Sequence, residues 1–106
     1  MREQPNLNYI KELSGGDKAF EEKFMSIVKT EFPIEKEEYL SYLEKKDYKT
    51  TSEIVHKMKH KFSILGMQQG YKLAVEYEEN LKKDSVTLQD NFLIVLQTIE
   101  RYIKTF

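Results

Sequence analysis

One segment of the sequence, residues 55–66, places a histidine among basic residues on the polar side of an amphipathic helix. At about 100° per residue its apolar side chains share one arc, the pattern of a helix with a single buried face. His56 lies on the opposite arc, with Lys59, His60 and Ser63 within about 60° of it, and is predicted to face solvent. The predicted buried arc consists of Thr51, Ile54, Val55, Met58, Phe62 and Leu65.

A histidine in this position has the chemistry of a nucleophile. Positive charge nearby disfavours the imidazolium form, and a neutral ring keeps a lone pair on one nitrogen. We therefore predict that His56 accepts a phosphoryl group and passes it to another protein. Such a site needs a cation to stabilise the phosphoryl oxygens, and Lys59, one helical turn further on, is the predicted cation.

Two other functions stay open on the residues alone. Glu53, His56 and His60 share one face and could ligate zinc or copper in a metal-binding bundle, although the neighbouring lysines oppose a bound cation. The second is a non-catalytic adaptor that binds an acidic partner, because residues 45–61 contain six lysines against one aspartate and one glutamate. Without a glycine-rich phosphate loop, neither ATP binding nor autonomous kinase or ATPase activity is expected.

Size and composition restrict the classes of protein. The chain has 106 residues, a net charge of −1 and no cysteine, so we expect one domain over residues 1–106 with no disulfide, no thiol catalysis and no nucleic-acid partner. No apolar run approaches the roughly 20 residues of a membrane span. We expect a cytoplasmic monomer, and the closeness of Met1 to the first predicted helix favours a free-standing protein over one domain of a larger protein.

Helix-period patterns through nearly the whole chain predict the elements that position His56. Only four glycines and two prolines interrupt these patterns, so the predicted class is all-α. A short first helix is expected over residues 7–13, and Asp17 is predicted to cap the second helix. The predicted inward face of the second helix consists of Phe20, Phe24, Ile27 and Val28.

Three more helices are expected beyond Pro33, which is predicted to kink or interrupt the second helix. Asp47 should cap the histidine helix, and Gly66 should end it in a left-handed conformation. A fourth helix is predicted over residues 68–83 and a fifth after Thr87, which with Asp90 resembles an N-terminal cap. Together the helices predict an up-and-down antiparallel four-helix bundle with a short extra N-terminal helix. The residues predicted to face inward are Leu73, Ala74, Tyr77 and Leu81, then Leu88, Phe92, Val95, Ile99, Tyr102 and Phe106.

The run His56-Lys57-Met58-Lys59, with Gly66 ten residues after the histidine, resembles the histidine-containing phosphotransfer (HPt) domain. That family's helix carries His-x-(Leu or Met)-Lys and a glycine at this distance. The resemblance extends to the short leading helix, the Ser-Gly-Gly-Asp break, a long helix with a central proline and an aspartate nine residues before the histidine. It also includes Tyr77-Glu78, where the family often has Leu-Glu.

The resemblance implies a four-helix bundle that displays His56 as the phosphorylated residue. Lys59 would then stabilise the phosphohistidine, and Gly66 would be the structural glycine that closes the helix. Implied partners are response-regulator receiver domains and an upstream hybrid histidine kinase. The Mg²⁺ of this chemistry belongs to the receiver, so no cofactor or metal is expected in this chain.

A further set of residues is predicted to contact the partner. His60 stands where the family usually has a small residue, so its bulk could narrow partner choice or supply a polar contact. Ser63 and Lys57 lie on the same basic surface. One apolar residue of the first helix is expected to stay exposed beside the histidine helix, with Ile10 and Leu13 as the candidates, whereas at least two of Leu7, Ile10 and Leu13 should cap the core.

Overall fold

The computed structural model describes residues 3–105, and this part of the chain is helical without strands. The prediction of an all-α bundle with a short N-terminal helix is confirmed. No helix within the described range is long and apolar enough to cross a bilayer. Phe106, predicted to face inward, lies outside the described residues. The helices are α1 (Asn8–Ser14), α2 (Lys18–Glu44), α3 (Tyr48–Ile64), α4 (Gln68–Lys82) and α5 (Gln89–Ile103).

Aspartate side chains cap two of the long helices as predicted. Asp17 before α2 and Asp47 before α3 each accept the backbone N–H three residues further on, at 3.2 Å. These bonds satisfy donors that the first helical turn leaves unpaired. The predicted cap at Thr87 is wrong, because α5 is preceded by Leu88 without a side-chain cap and the Thr87 hydroxyl bonds to Ser85 Oγ at 2.9 Å instead.

Pro33 lies inside α2 without interrupting it. Of the predicted kink or interruption, the interruption is therefore wrong, although a proline cannot donate the backbone hydrogen bond of its turn. Pro33 is exposed, whereas Phe32 beside it and Tyr39 two turns later are buried in the core. Packing on both sides of the proline thus stabilises the helical conformation of α2. Solvent can reach the turn in which Pro33 lacks a backbone N–H.

The buried face of α2 matches the predicted one only in part, because Val28 is buried and Phe24 is partly buried against the core as predicted. Phe20 and Ile27 are 40% and 47% exposed, whereas Met25, Val28 and Phe32 are buried. Two apolar stripes run along this helix, and both satisfy the helical period. Packing against the rest of the bundle decides which stripe is covered.

An aromatic cluster forms the centre of the core. The Tyr39 and Tyr77 hydroxyls, from α2 and α4, share a buried hydrogen bond of 2.7 Å. The ring of Phe92 from α5 lies 5.0 Å from each tyrosine ring, and Phe62 from α3 lies 5.7 Å from Phe92. Burial raises the pKa of both tyrosines, so both stay neutral hydrogen-bonding groups. The cluster joins all four long helices and fixes α3 beside α4.

Gly66 ends α3 with φ of +76°, as predicted for a left-handed position. We expect Gly66→Ala to lower the free energy of unfolding by about 2 kcal/mol, because a left-handed alanine is strained by roughly 1–2 kcal/mol. A Cβ at this site would also lie 2.5 Å from Asn6 Nδ2. Asn6 would have to move, although its Oδ1 accepts the backbone N–H of Asn8 at the start of α1.

Urea unfolding of the Gly66→Ala variant measures this effect, with Gly15→Ala as the matched control. Gly15 has φ of +59° and nothing within 4 Å of an added Cβ. Its substitution should therefore show the backbone strain alone, about 1 kcal/mol. Equal losses in the two variants would contradict the contribution assigned to the Asn6 contact.

Candidate functional site

His56 lies in the middle of α3 with its side chain 55% exposed. The six residues predicted for the opposite arc, listed above, are all buried. The predicted orientation of the helix is therefore confirmed. The histidine stands on a rigid element with its ring open to solvent.

Glu78 on α4 is the nearest charged neighbour of His56. Its Oε1 lies 2.6 Å from His56 Nδ1, and its side chain is only 9% exposed. An ionised carboxylate can only accept hydrogen bonds, so Nδ1 must carry the proton and donate it. In the neutral ring the lone pair then belongs to Nε2. The contact leaves one ring nitrogen, Nε2, with a free lone pair.

Lys59 does not share the solvent-facing surface predicted for it. The residue is buried, and its Nζ donates to Glu78 Oε2 at 3.0 Å. The ammonium also lies 5.8 Å from the centre of the Tyr71 ring. Lys59 is placed at the edge of α3 that faces α4, where the neighbouring helix covers its aliphatic stem. Glu78 thus bridges Lys59 and His56 through its two oxygens.

The two donors determine the charge of Glu78. Burial of the carboxyl favours its neutral form, but the hydrogen bonds from Lys59 and His56, together with the positive charge of Lys59, outweigh burial and lower the pKa of Glu78 below its usual value. Glu78 is therefore ionised at neutral pH. Its charge is available to orient His56 and to balance a positive ring.

A stability profile against pH follows from this lowered pKa. Because the folded-state pKa of Glu78 lies below its unfolded value near 4.5, the stabilisation is fully present above pH 4.5 and is lost as pH falls through the folded value. The difference in unfolding free energy between wild type and Glu78→Gln should thus be constant in the range from neutral pH to pH 4.5 and should shrink as the pH falls further. Urea midpoints measured from neutral pH to below pH 4.5 test the expectation.

The control for this profile is Glu79→Gln on the same helix. Glu79 is 60% exposed and contacts Lys82 at 3.3 Å, so its ion pair should contribute little to stability. A difference between wild type and Glu78→Gln that stays constant below pH 4.5 would contradict the role given to the ionised Glu78.

Three predicted partner contacts lie on the same exposed side of α3 as His56. His60 is exposed, and its ring meets the His56 ring edge to face with centroids 5.5 Å apart. Lys57 is 56% exposed, with its Nζ 4.0 Å from Glu38 of α2. Ser63 is exposed one turn beyond His60. The surface around the imidazole is polar, and its lysines lie next to carboxylates such as Glu38 and Glu53.

The apolar residues of α1 divide in a way that corrects one prediction. Ile10 is fully buried in the core, so its predicted role as a partner contact is wrong. Leu7 is partly buried against the same core. These two residues cap the bundle as expected, and Leu13 is the exposed member at 52%.

Leu13 lies on a helix that packs near the start of α2. Ser14 Oγ, at the end of α1, donates to Glu21 Oε2 at 3.1 Å, whereas Lys57, beside the histidine, faces Glu38. Glu21 and Glu38 are about 25 Å apart along the axis of α2. Leu13 is therefore displaced from the histidine along the bundle.

The residues considered for a metal site do not form one. Within residues 3–105, no group of three histidine, aspartate or glutamate side chains is arranged to hold a metal ion. Glu53 and His60 share the face of His56, but Nδ1 of His56 already bonds to Glu78. The alternative of a metal-binding bundle receives no support from the arrangement of these side chains.

The structure adds residues that the sequence-based prediction did not assign to the site. A groove of about 510 Å³ runs between α3 and α4 beside the imidazole. Ile34 of α2, 58% exposed, lines a second depression together with Lys57. The only signal for Glu78 was its place in the Tyr77-Glu78 pair. The groove is lined by Lys49, Ser52, Glu53, His56, Glu78 and Lys82.

Comparison of the chain with protein-family models, with curated proteins and with solved structures gives no match. The likeness to the HPt domain therefore rests on the motif around His56 and on the order of the elements. Functional inference must start from the contacts of the imidazole itself.

Proposed function

We propose that this chain is an intermediate of a cytoplasmic phosphorelay, in which His56 takes a phosphoryl group from one receiver domain and gives it to another. One observation carries the proposal: a buried, ionised carboxylate holds Nδ1 of an exposed histidine at 2.6 Å. A surface histidine without a role needs no such partner. This arrangement leaves Nε2 as a defined and accessible nucleophile.

The bonds and charges of the step balance with the groups available. Nε2 attacks the phosphorus of the receiver's aspartyl phosphate, the N–P bond forms, and the bond from phosphorus to the aspartyl oxygen breaks. The leaving group is the aspartate carboxylate. Nε2 carries no proton to lose, and the positive charge that develops on the ring faces the Glu78 carboxylate. The reverse reaction with a second receiver returns the ring to its neutral form.

The partner must supply the remaining catalytic groups. A receiver brings the Mg²⁺ and the acidic cluster, so the exposed lysines next to His56 are complementary to it. Lys57 and His60 provide polar contacts next to the imidazole, and Ile34 provides the apolar one that α1 was expected to supply. Such an interface suits a transient complex between relay partners.

Transfer from a phosphorylated receiver domain tests this function. The receiver is labelled with a radioactive small-molecule phosphodonor, freed of the donor and mixed with the chain. We expect the chain to gain label that is lost in acid and kept in alkali, as for phosphohistidine. Labelled ATP without a receiver should give no label. A chain that binds the receiver but never carries label would be an adaptor, and the proposal would fail.

A further inference from the structure

We propose that Lys82 and Lys49, on the two walls of the groove beside His56, supply the positive charge that holds the phosphoryl oxygens. Lys59, the cation expected from the sequence, has a structural role in this view. The inference rests on the proposed function and assigns the oxyanion-binding part of the same site. It follows from the contacts of Lys59 and from the residues that line the groove.

Lys59 is committed to another contact. Its Nζ is 3.0 Å from Glu78 Oε2, and the two side chains are 11% and 9% exposed. Reaching a phosphoryl group on the exposed Nε2 would break this pair and leave the Glu78 carboxylate held by His56 alone. Uncompensated buried charges are costly. Lys59 is therefore better placed to neutralise Glu78 than to bind the phosphoryl oxygens.

Lys82 is the better placed of the two groove lysines. It lies four residues after Glu78 on α4, which is one turn and about 6 Å along the axis. Its side chain is 53% exposed, and its contact to Glu79 at 3.3 Å is an exposed ion pair within one helix. Such pairs contribute little and exchange readily for a stronger acceptor such as a phosphoryl oxygen.

Lys49 reaches the groove from the opposite wall. It lies seven residues before His56 on α3, two turns away on nearly the same face of the helix. Because α3 and α4 run antiparallel, Lys49 and Lys82 flank the same end of the groove. Ser52, between Lys49 and His56, also lines it, but its hydroxyl donates to the Lys49 carbonyl at 2.7 Å.

Glu53 lines the same groove and carries the opposite charge. Its exposed carboxylate should repel the phosphoryl oxygens, because it is one turn from His56 on α3. Glu78 does not add to this repulsion, since Lys59 and His56 both donate to it. The groove therefore predicts effects of opposite sign for its lysines and for Glu53.

The lifetime of the phosphorylated chain after removal of the receiver tests the assignment. We expect Lys82→Ala and Lys49→Ala each to shorten the half-life about threefold, and the double variant to shorten it by about tenfold. Glu53→Gln should lengthen it about twofold. The matched control is Lys83→Ala, which removes an exposed lysine next to Lys82 that does not line the groove. Added salt should reduce all these differences.

The outcomes separate this inference from the proposed function. If wild type is labelled but the Lys82→Ala/Lys49→Ala variant keeps the wild-type lifetime, the inference is overturned and the phosphorelay function stands. The same conclusion follows if Lys83→Ala has as large an effect as Lys82→Ala. If wild type gains no label, the proposed function is wrong, and the inference that rests on it is wrong as well. Circular dichroism of each variant confirms that the helices are retained.

Discussion

The His56→Gln variant is expected to gain no phosphoryl label from a phosphorylated receiver, while it keeps the helical content and stability of wild type. Glutamine has no ring nitrogen with a free lone pair, so the N–P bond cannot form. It is a good helix former, and His56 is 55% exposed, so the core is untouched. The side-chain amide of glutamine can still donate to Glu78. The loss should therefore be chemical and not structural.

The control for this loss is His60→Gln, one turn along the same face. His60 is also an exposed histidine, and its ring contacts that of His56. Among the described contacts, however, no buried carboxylate forms a hydrogen bond with His60. We expect the His60→Gln variant to gain the phosphoryl label as wild type does, with any change confined to the rate of transfer. If the His56→Gln variant is still labelled, the assignment of His56 as the phosphorylated residue is wrong. Peptide mapping would then show whether His60 carries the label.

The Lys59→Met variant is expected to lose about 3 kcal/mol of unfolding free energy. This substitution removes the donor to Glu78 and leaves a carboxylate that is only 9% exposed with His56 as its remaining partner. Removing one partner of a buried ion pair costs about 3–5 kcal/mol of unfolding free energy. Because His56 still donates to Glu78 in this variant, we expect a loss at the lower end of that range. Replacing both partners, in Lys59→Met/Glu78→Leu, should recover most of the loss. Urea unfolding of the two single variants and the double variant gives the coupling.

Lys57→Met is the matched control for Lys59→Met. Lys57 is two residues away on the same helix, is 56% exposed, and lies 4.0 Å from an exposed Glu38, so its removal should change stability by less than about 0.5 kcal/mol. Similar small effects for both lysines would mean that Lys59 is solvated. Lys59 would then be free to bind the phosphoryl group, as the sequence alone had predicted.

The features that could be predicted from the sequence depend on residues close together in the chain. Helical periodicity placed His56 opposite the buried arc of α3, because adjacent residues on a helix differ by a fixed angle. Asp17 and Asp47 bond to N–H groups only three residues away, and Gly66 was expected at a left-handed position because only glycine adopts it without strain. Each of these signals is local.

The tertiary structure decided how wide each buried arc is and which side chain meets which across two helices. Lys59 lies on the polar side of α3 by angle, but α4 covers it and brings Glu78, nineteen residues away, to 3.0 Å. The same packing buried Ile10 and left Ile27 exposed. Periodicity sets the relative angles within one helix, whereas rotation and register between helices follow from the fit of their side chains. The sequence by itself therefore determined that a histidine faces solvent, and packing alone decided that Glu78 holds it and that Lys59 is tied to the same carboxylate.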